Sequence, residues 1–325
     1  MHIILRRLGF YVITAIAAVT VDFFIPRLMP GNPVEAVLAQ LHGNVTPAVI
    51  HALQLQYGVG NSQGLWGQYL TFWSDLLHGN LGVSTSYAPA TVTQVIRSGL
   101  AWTLGLVGLS TIISFVLGTL LGILVGWRRG TWLDNLLPAT TFFQAAPYFF
   151  IAFLVLDIFA VRLGWFPTGR AYDQLDFPGL NGGYVGDVLR HAILPAFTIV
   201  LCSAAGWIVG MRNVMVTTMD EDYVLVAQAK GLSKRRVIWY AARNAILPSV
   251  SGFALAIGFV VSGALLTEIV FSYPGLGYIL LNAVGSRDYP LLQGIFLIIT
   301  FAVLLANLLA DSVYVFLDPR TRQEA

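Results

Sequence analysis

Charged residues are scarce in this sequence of 325 residues: Asp, Glu, Lys and Arg together make up 10% of it. Soluble globular domains carry about 25% charged residues, whereas here 57% of the residues are hydrophobic and the mean hydropathy is +0.74. The composition therefore predicts a membrane protein. A chain of this length suits one membrane domain rather than several soluble ones.

Cysteine is almost absent as well. The single residue, Cys202, cannot form an intramolecular disulfide and falls inside an apolar run, so we predict a small buried core residue. The five histidines are scattered, and none pairs with another at the spacing of metal ligands. The sequence therefore predicts no metal site.

Nucleotide-binding and catalytic motifs are also missing. The sequence has no G-x-x-x-x-G-K-[ST] and no Gly-Lys pair, which excludes a phosphate-binding loop of that type. A single G-x-S-x-G match, GNSQG at 60–64, lacks the preceding strand of a nucleophile elbow, and the sequence has no aspartyl-protease pair. We therefore predict a chain that is not an enzyme and binds no cofactor, so that any ATP and Mg²⁺ must be held by another polypeptide.

Long apolar runs dominate what is present. A helix that crosses the hydrocarbon core needs about twenty apolar residues, and six runs qualify, at 8–28, 101–126, 136–161, 191–211, 247–271 and 291–316. They predict an all-α polytopic membrane protein with six transmembrane helices. The first run lacks an A-x-A-like cleavage site, so we interpret it as a retained span. Small residues in the second run indicate close helix packing, namely Gly105, Gly108, Ser110, Gly118 and Gly122.

The basic residues predict the orientation of these spans. Of the 18 Lys and Arg, twelve lie in the N-terminus, the second loop, the fourth loop or the C-terminus, and six lie in or beside the alternate loops. The positive-inside bias therefore predicts that both termini and the fourth loop are cytoplasmic.

Two segments on the predicted outer side are too long for simple turns. Residues 29–100 begin with MPGNP, and apolar residues recur at three- and four-residue spacing in AVIHALQLQYGV and WGQYLTFWSDLLHGNLG. This spacing predicts short amphipathic helices on the outer face. We therefore divide the chain into a first span at 1–28, an extracytoplasmic subdomain at 29–100, a membrane core at 101–317 and a cytoplasmic tail at 318–325. The second outer segment, about 163–190, is rich in Gly, Pro and Asp and predicts irregular structure.

The fourth loop, about 213–246, is the least expected segment in so apolar a chain. It contains most of DEDYVLVAQAKGLSKRRVIWYAARNAILP, residues 220–248. Thr218 and Glu221 match a T-x-x-E capping box, Gly231 can supply a left-handed stop, and Ser233 can cap a second helix. The first helix would present Tyr223, Val224, Val226 and Ala227. It is too short to be stable alone, so these residues need a groove in this chain or in another subunit; an interfacial helix on the bilayer is the alternative.

Several motifs carry a family resemblance. A-x-x-x-G at 227–231, followed by I-L-P at 246–248, resembles the EAA loop of ATP-binding-cassette importer permeases. Leu225 stands where that motif has glutamate, and the gap to I-L-P is about one helical turn longer. Both departures resemble the peptide and nickel permease subfamily, with its A-x-A-K-G-L-S. MPGNP, HGNLGVS (78–84), GWFPTGR (164–170), TEIVFSYPGLGYILLNAVGSRDYPLLQG (267–294) and LLADSVYVFLDPRTR (308–322) extend the resemblance over nearly the whole chain.

The resemblance implies a type I importer permease fold with five core spans and a peripheral first span. It implies one half of a translocation path for di- or oligopeptides in a bacterial inner or plasma membrane, formed with a second homologous permease. Two ATPase subunits, or one fused pair, would bind beneath and supply ATP and Mg²⁺ chemistry. A solute-binding protein would dock outside, lipid would surround the spans, and no nucleic acid is involved. Nickel or another small solute stays open as the cargo, as does a stand-alone secondary transporter.

The resemblance also suggests candidate sites. Coupling to the ATPases would fall to Tyr223, Val224, Ala227, Lys230 and Gly231. Gate or path candidates are Asp157 and Glu268, each with a structural role as the alternative. Binding-protein docking candidates are Tyr273, Pro274 and Leu276, for which a plain packed turn is the alternative. Asp22, near the outer end of the first span, can reach toward Arg27.

Overall fold

The computed structural model describes residues 2–28, 47, 64–133, 135, 137–173, 178–179, 181–258 and 260–317. Among these residues, regular structure is helical apart from one antiparallel bridge between Val83 and Thr91, which confirms the all-α fold class. The stretches MPGNP (29–33) and AVIHALQLQYGV (48–59) and the tail at 318–325 fall on residues outside this description.

Thirteen α-helical segments are numbered here in chain order over the described residues. They are α1 His2–Leu28, α2 Leu65–Leu77, α3 Val92–Thr103, α4 Leu109–Trp127, α5 Leu137–Ala145, α6 Tyr148–Val155, α7 Gly182–Met219, α8 Asp222–Ala229, α9 Lys234–Gly258, α10 Val260–Gly263, α11 Leu265–Val270, α12 Leu276–Ser286 and α13 Tyr289–Leu317. Two π-helical segments, Leu104–Gly108 and Leu156–Arg162, join α3 to α4 and extend α6.

Three described helices are long and apolar enough to cross a membrane: Val92–Trp127, Gly182–Met219 and Tyr289–Leu309. The pair Ala139–Ala145 and Tyr148–Arg162, bent by 108°, makes a fourth if it counts as one span. These four cover the predicted spans 2, 4, 6 and 3. The apolar part of α1, Gly9–Ile25, and the interrupted run α9 to α11 cover the other two, so the count of six stays a prediction.

Part of the predicted irregular segment is helical. The structure has no regular helix at 163–173, but α7 begins at Gly182, so the prediction is wrong for its last nine residues. Asn181 is the reason, because its side-chain oxygen accepts a hydrogen bond from the Tyr184 N–H at 2.8 Å and so caps the helix.

The chain forms two compact units, Met1–Ala101 with Gly275–Leu304 and Trp102–Pro274 with Leu305–Ala325. In the first, α2 packs on α1 through aromatic rings, and this helix agrees with the one predicted in WGQYLTFWSDLL. The centre of the Phe23 ring lies 5.2 Å from the centre of the Tyr69 ring and 5.5 Å from that of Phe72. The Thr20 and Tyr69 hydroxyl oxygens are 2.7 Å apart.

Arg27 does not pair with Asp22, contrary to the prediction. Its guanidinium lies 3.6 Å from the centre of the Phe23 ring and donates a hydrogen bond to the Phe23 carbonyl. Asp22 is buried, with 4% of its surface exposed. Consecutive helical residues point about 100° apart, so Arg27, which folds back over Phe23, is turned away from Asp22.

Two of the family-like motifs meet within the first unit. The buried Asp288 accepts hydrogen bonds from the Ser84 hydroxyl and from the Ser86 N–H at 3.0 Å. Its other carboxylate oxygen accepts from the Leu291 N–H at 3.1 Å, which caps the start of α13. The serine that ends HGNLGVS is therefore held by the aspartate of GSRDYP, although 204 residues separate them in sequence.

Glycines hold α4 against α7 in the second unit. Ideal Cβ atoms built at Gly118, Gly122 and Gly126 would lie 2.5, 2.7 and 2.8 Å from the Cβ atoms of Trp207, Met211 and Met215. The two helices approach this closely only because these positions lack a side chain. The prediction of close packing is confirmed for Gly118 and Gly122, and the sequence interpretation missed Gly126. Gly105, by contrast, has no heavy atom within 4 Å of its ideal Cβ.

Candidate coupling helix and translocation surface

The short helix α8 ends as the sequence predicts. Gly231 has φ +75°, its N–H donates to the Gln228 carbonyl at 2.9 Å, and the Leu232 N–H donates to the Ala227 carbonyl at 3.3 Å. This pair of bonds is a Schellman motif, in which glycine favours the left-handed position. The second helix, α9, begins at Lys234, so Ser233 takes the predicted cap position, and its carbonyl accepts from the Arg236 and Val237 N–H groups.

The predicted capping box at the start of α8 is wrong. Thr218 lies in the last turn of α7 and is buried, and the N-cap of α8 is Glu221, whose side chain makes no capping hydrogen bond. A capping residue needs extended backbone. Because α7 continues through Met219, Thr218 is helical and cannot serve as the cap.

The predicted coupling residues fall on two faces of α8. Val224 and Ala227 are buried in the chain's own interior, at 0% and 7% exposed. Val224 belongs to a cluster with Met211, Met215, Val237, Ala241, Ala242 and Ala245. The Val224 and Ala227 side chains therefore pack α8 against its own chain and are not accessible to a partner subunit. Tyr223, Val226 and Lys230 are exposed, and their spacing of three and four residues places them on one face.

Leu225 also faces outward, with 50% of its surface exposed, as does Val226 with 50%. Leu225 is the position at which the family motif has glutamate. The outward side of α8 is therefore largely apolar, formed by Tyr223, Leu225 and Val226 and bordered by Lys230. We refer to these four residues as the α8 outer face.

A cavity of about 300 Å³ lies in the second unit. The side chains that line it are hydroxylic, aromatic or aliphatic: Val107, Thr111, Ser114, Tyr148, Ile199, Ser203, Trp207, Ala256, Val260 and Ala264. The Tyr148 hydroxyl lies 3.2 Å from the Ser203 hydroxyl. These residues come from distant parts of the chain, and the sequence patterns did not point to them.

The cavity lies beside a break in a membrane helix. α5 and α6 meet at a bend of 108°, and Pro147, at the N-cap of α6, precedes the cavity residue Tyr148. Proline has no N–H to continue a helix. The cavity therefore has this helix break at its border.

The predicted path residues do not line this cavity. Asp157 lies in the π-helical extension of α6, half-exposed, and its carboxylate is 2.7 Å from the Arg162 guanidinium. Glu268, in α11, is fully buried, and its backbone carbonyl accepts from the Tyr273 N–H at 2.8 Å. Their roles in the path stay predictions.

Two of the three predicted docking residues are buried in the chain. Tyr273 is 2% exposed and packs edge-on against Trp102, with ring centres 5.8 Å apart. Burial, then the neighbouring Glu268 and Tyr184, raise the pKa of the Tyr273 hydroxyl. Leu276, in the first unit, is 0% exposed, whereas Pro274 is partly exposed. Docking at this turn stays a prediction, and Pro274 is the accessible residue of the three.

Residues 118–323 match the family model described as the binding-protein-dependent transport system inner membrane component. That match covers more than half of the chain. The chain belongs to this family. Known relatives agree over nearly their full length: a candidate peptide permease of Brucella suis is 36% identical over 305 residues, 92% of each chain. The di/tripeptide transport permease of Pseudomonas aeruginosa is 32% identical over 336 residues, covering 99% of this chain and 98% of the relative.

A relative from a distant bacterium extends the comparison. The oligopeptide transport permease of Bacillus subtilis is 29% identical over 320 residues, 98% of each chain. The protein is thus a multi-pass membrane permease subunit of a binding-protein-dependent transport system. The segment that the family model matches contains α7, α8 and the second half of α4. Of the cavity lining, Val107, Thr111 and Ser114 lie just before that segment and the other residues lie within it.

Proposed function

We propose that this permease forms one half of a peptide translocation path and that partner ATPases drive it through α8. A second homologous permease completes the path, an extracytoplasmic binding protein delivers the peptide, and both termini lie in the cytoplasm. The α8 outer face carries the proposal. An apolar face on a short helix that is firmly seated on its own chain is suited to insertion into a groove of another protein.

The packing of α8 on its own chain connects the proposed ATPase contact to the cavity. α8 packs on α7 and α9, with Val224 in the core they share, and α7 is in turn packed on α4 through the glycines. α4, α7 and α9 all contribute residues to the cavity lining. When the ATPases close, α8 moves together with these helices, and the cavity changes its access from one side of the membrane to the other by rigid-body motion.

The cavity lining favours peptides over nickel. Nickel is bound readily by imidazole nitrogen, whereas the lining offers the hydroxyls of Thr111, Ser114, Tyr148 and Ser203 and the indole of Trp207. Hydroxyl groups both donate and accept hydrogen bonds, as the amides of a peptide backbone require. Among the described residues, no group of three His, Cys, Asp or Glu side chains could hold a metal ion.

Val226→Glu is expected to detach the ATPase subunits. The change places an unpaired carboxylate in an apolar contact, which costs about 2 kcal/mol or more, so co-purification should fall by at least roughly tenfold. The measurement is the amount of ATPase subunit retained on the affinity-tagged permease from solubilised membranes. Asn213→Glu is the matched control, because it adds the same charge to an exposed position of the predicted cytoplasmic loop that lies on α7 and outside the α8 outer face. Unchanged retention in the Val226 variant contradicts docking on this face.

Tyr148→Phe tests the cavity. The variant keeps the ring and removes the hydroxyl 3.2 Å from Ser203, and one hydrogen bond is worth about 1 kcal/mol, so peptide uptake should fall about fivefold at limiting substrate. Radiolabelled dipeptide and oligopeptide uptake into proteoliposomes that contain the whole transporter measures this. Tyr87→Phe, a change on an exposed tyrosine of the first unit that does not line the cavity, is the control. Uptake of labelled nickel without any peptide uptake would assign the cargo to the nickel branch instead.

A further inference from the structure

The first three turns of α9 have two distinct faces. One is buried in the chain interior, with Val237 at 2%, Ala241 at 0% and Ala245 at 1% exposure. The other is exposed and carries residues at spacings of three and four: Arg236, Trp239, Tyr240 and Arg243. We call these four residues the α9 stripe. Their spacing places them together along one side of the helix.

Large aromatic side chains on this stripe are left uncovered by the described chain. Trp239 is 69% exposed and Tyr240 is 53% exposed. Exposed apolar surface of this kind marks an interaction site when it is not scattered singly. Trp and Tyr combine an apolar ring with a polar group and are enriched at the boundary between hydrocarbon and water, so the pair suits the interfacial layer of a bilayer.

The charge on this segment has one sign. From Lys234 to Gly258, the helix contains four basic residues and no Asp or Glu. The two arginines of the stripe flank the two aromatic residues along the helix, and guanidinium groups bind phosphate oxygens through paired hydrogen bonds. The arginines of the stripe are therefore complementary in charge to an anionic lipid headgroup, and its aromatic rings suit the headgroup ends of the acyl chains.

The position of the stripe along α9 matches the depth of headgroups. The predicted fifth span, 247–271, begins inside α9, so the helix has 13 residues, about 20 Å, ahead of the hydrocarbon. The basic residues are confined to its first ten positions, and the last of them, Arg243, is one turn before the span. Because these first turns have one buried and one exposed face, we infer that they run along the polar layer, on the side that the basic residues predict to be cytoplasmic.

We propose that the α9 stripe is a binding site for anionic phospholipid of the inner leaflet, with the arginines on the phosphate and the rings of Trp239 and Tyr240 at the top of the acyl chains. The α8 outer face is a different set of residues, so the two surfaces serve different partners. The site operates whether the cargo is a peptide or another solute, and its test does not depend on transport.

The test uses the full-length permease in nanodiscs that contain brominated lipid, which quenches nearby tryptophan fluorescence. The chain has eight tryptophans, so the signal of Trp239 is the difference between the unmodified chain and its Trp239→Phe variant. We expect brominated phosphatidylglycerol to quench this signal more than brominated phosphatidylethanolamine at the same mole fraction. The double variant Arg236→Gln/Arg243→Gln should lose the preference for the anionic lipid, by about fivefold in relative affinity for each arginine removed.

A matched control removes the same charge elsewhere. Arg128→Gln/Lys234→Gln also replaces two exposed basic residues on the predicted cytoplasmic side and should keep the preference. Equal quenching of Trp239 by the two lipids, or a preference that survives in the Arg236/Arg243 double variant, overturns the proposal. Quenching by neither lipid overturns it as well, since water or protein then covers the stripe. Folding of each variant is checked by its elution as a single species.

Discussion

Replacing Gly122 with leucine is expected to prevent the permease from accumulating as a folded membrane protein. An ideal Cβ at this position lies 2.7 Å from the Met211 Cβ and 2.8 Å from the Ile208 carbonyl oxygen. Neither atom can swing aside as the tip of a long side chain can, so α4 has to separate from α7. Extra methylenes in a packed interior cost about 1–3 kcal/mol, and a leucine between two backbones should reach the upper end of that range.

Gly105→Leu is the control for this substitution. It makes the same chemical change within the same predicted span, but no heavy atom lies within 4 Å of the ideal Cβ. The yield of monodisperse protein after solubilisation and its thermal unfolding midpoint are the measurements. The Gly122 variant should be lost or strongly destabilised, and the Gly105 variant should behave like the unmodified chain. Equal yields and midpoints for the two variants contradict the proposed packing.

Gly231→Val is expected to leave the permease assembled but to uncouple uptake from ATP hydrolysis. The backbone at 231 is left-handed, with φ +75°, and nothing lies within 4 Å of its ideal Cβ. Valine is therefore not excluded by space, but it disfavours this backbone by roughly 1–2 kcal/mol. The Schellman bonds to Gln228 and Ala227 are then weakened, α8 loses its defined end, and its outer face shifts relative to the ATPase. We expect uptake per ATP hydrolysed to fall about tenfold.

The Gly231→Asn variant separates the effect of the left-handed backbone conformation from the effect of side-chain volume. Asparagine adopts the left-handed region more readily than other residues with a side chain, so this variant should retain most coupling despite its larger side chain. Both variants are reconstituted with the partner subunits, and ATP hydrolysis and peptide uptake are measured in the same vesicles. If the valine variant transports normally, or the asparagine variant fails equally, the left-handed stop is not what matters.

Features determined by neighbouring residues were predictable from the sequence. Gly231 after A-x-x-x is a local signal for a helix end, and the structure confirms it. The glycines at 118 and 122 recur every four residues, which indicates a packing face without identifying the helix it meets. The predicted capping box is wrong because Thr218 belongs to α7, which continues to Met219, eight residues beyond the predicted end of the fourth span at 211.

Features that depend on tertiary contacts could not be predicted. Val224 and Val226 are the same residue type two positions apart, yet one is fully buried and the other half-exposed, since only the position of α7 and α9 decides which side of α8 is inside. Tyr273 beside a Pro-Gly turn fits a docking tip or a packed core equally well. The cavity joins Thr111, Tyr148 and Ser203, which no spacing rule connects. Asp288 and Ser84 likewise meet only once the chain has folded.

The unbroken course of α7 has a mechanical consequence. Beyond Pro195, the helix continues to Met219, and its residues touch the cavity at Ser203 and the α8 seat at Met215. These two points are twelve residues apart, or about 18 Å along one rod. Because no break separates Met215 from Ser203 in α7, a tilt of the helix at one of these residues moves the other as well. If α8 is the proposed coupling helix, the permease has little freedom to open its cavity while α8 stays still, and we expect reconstituted vesicles to leak little peptide in the absence of ATP.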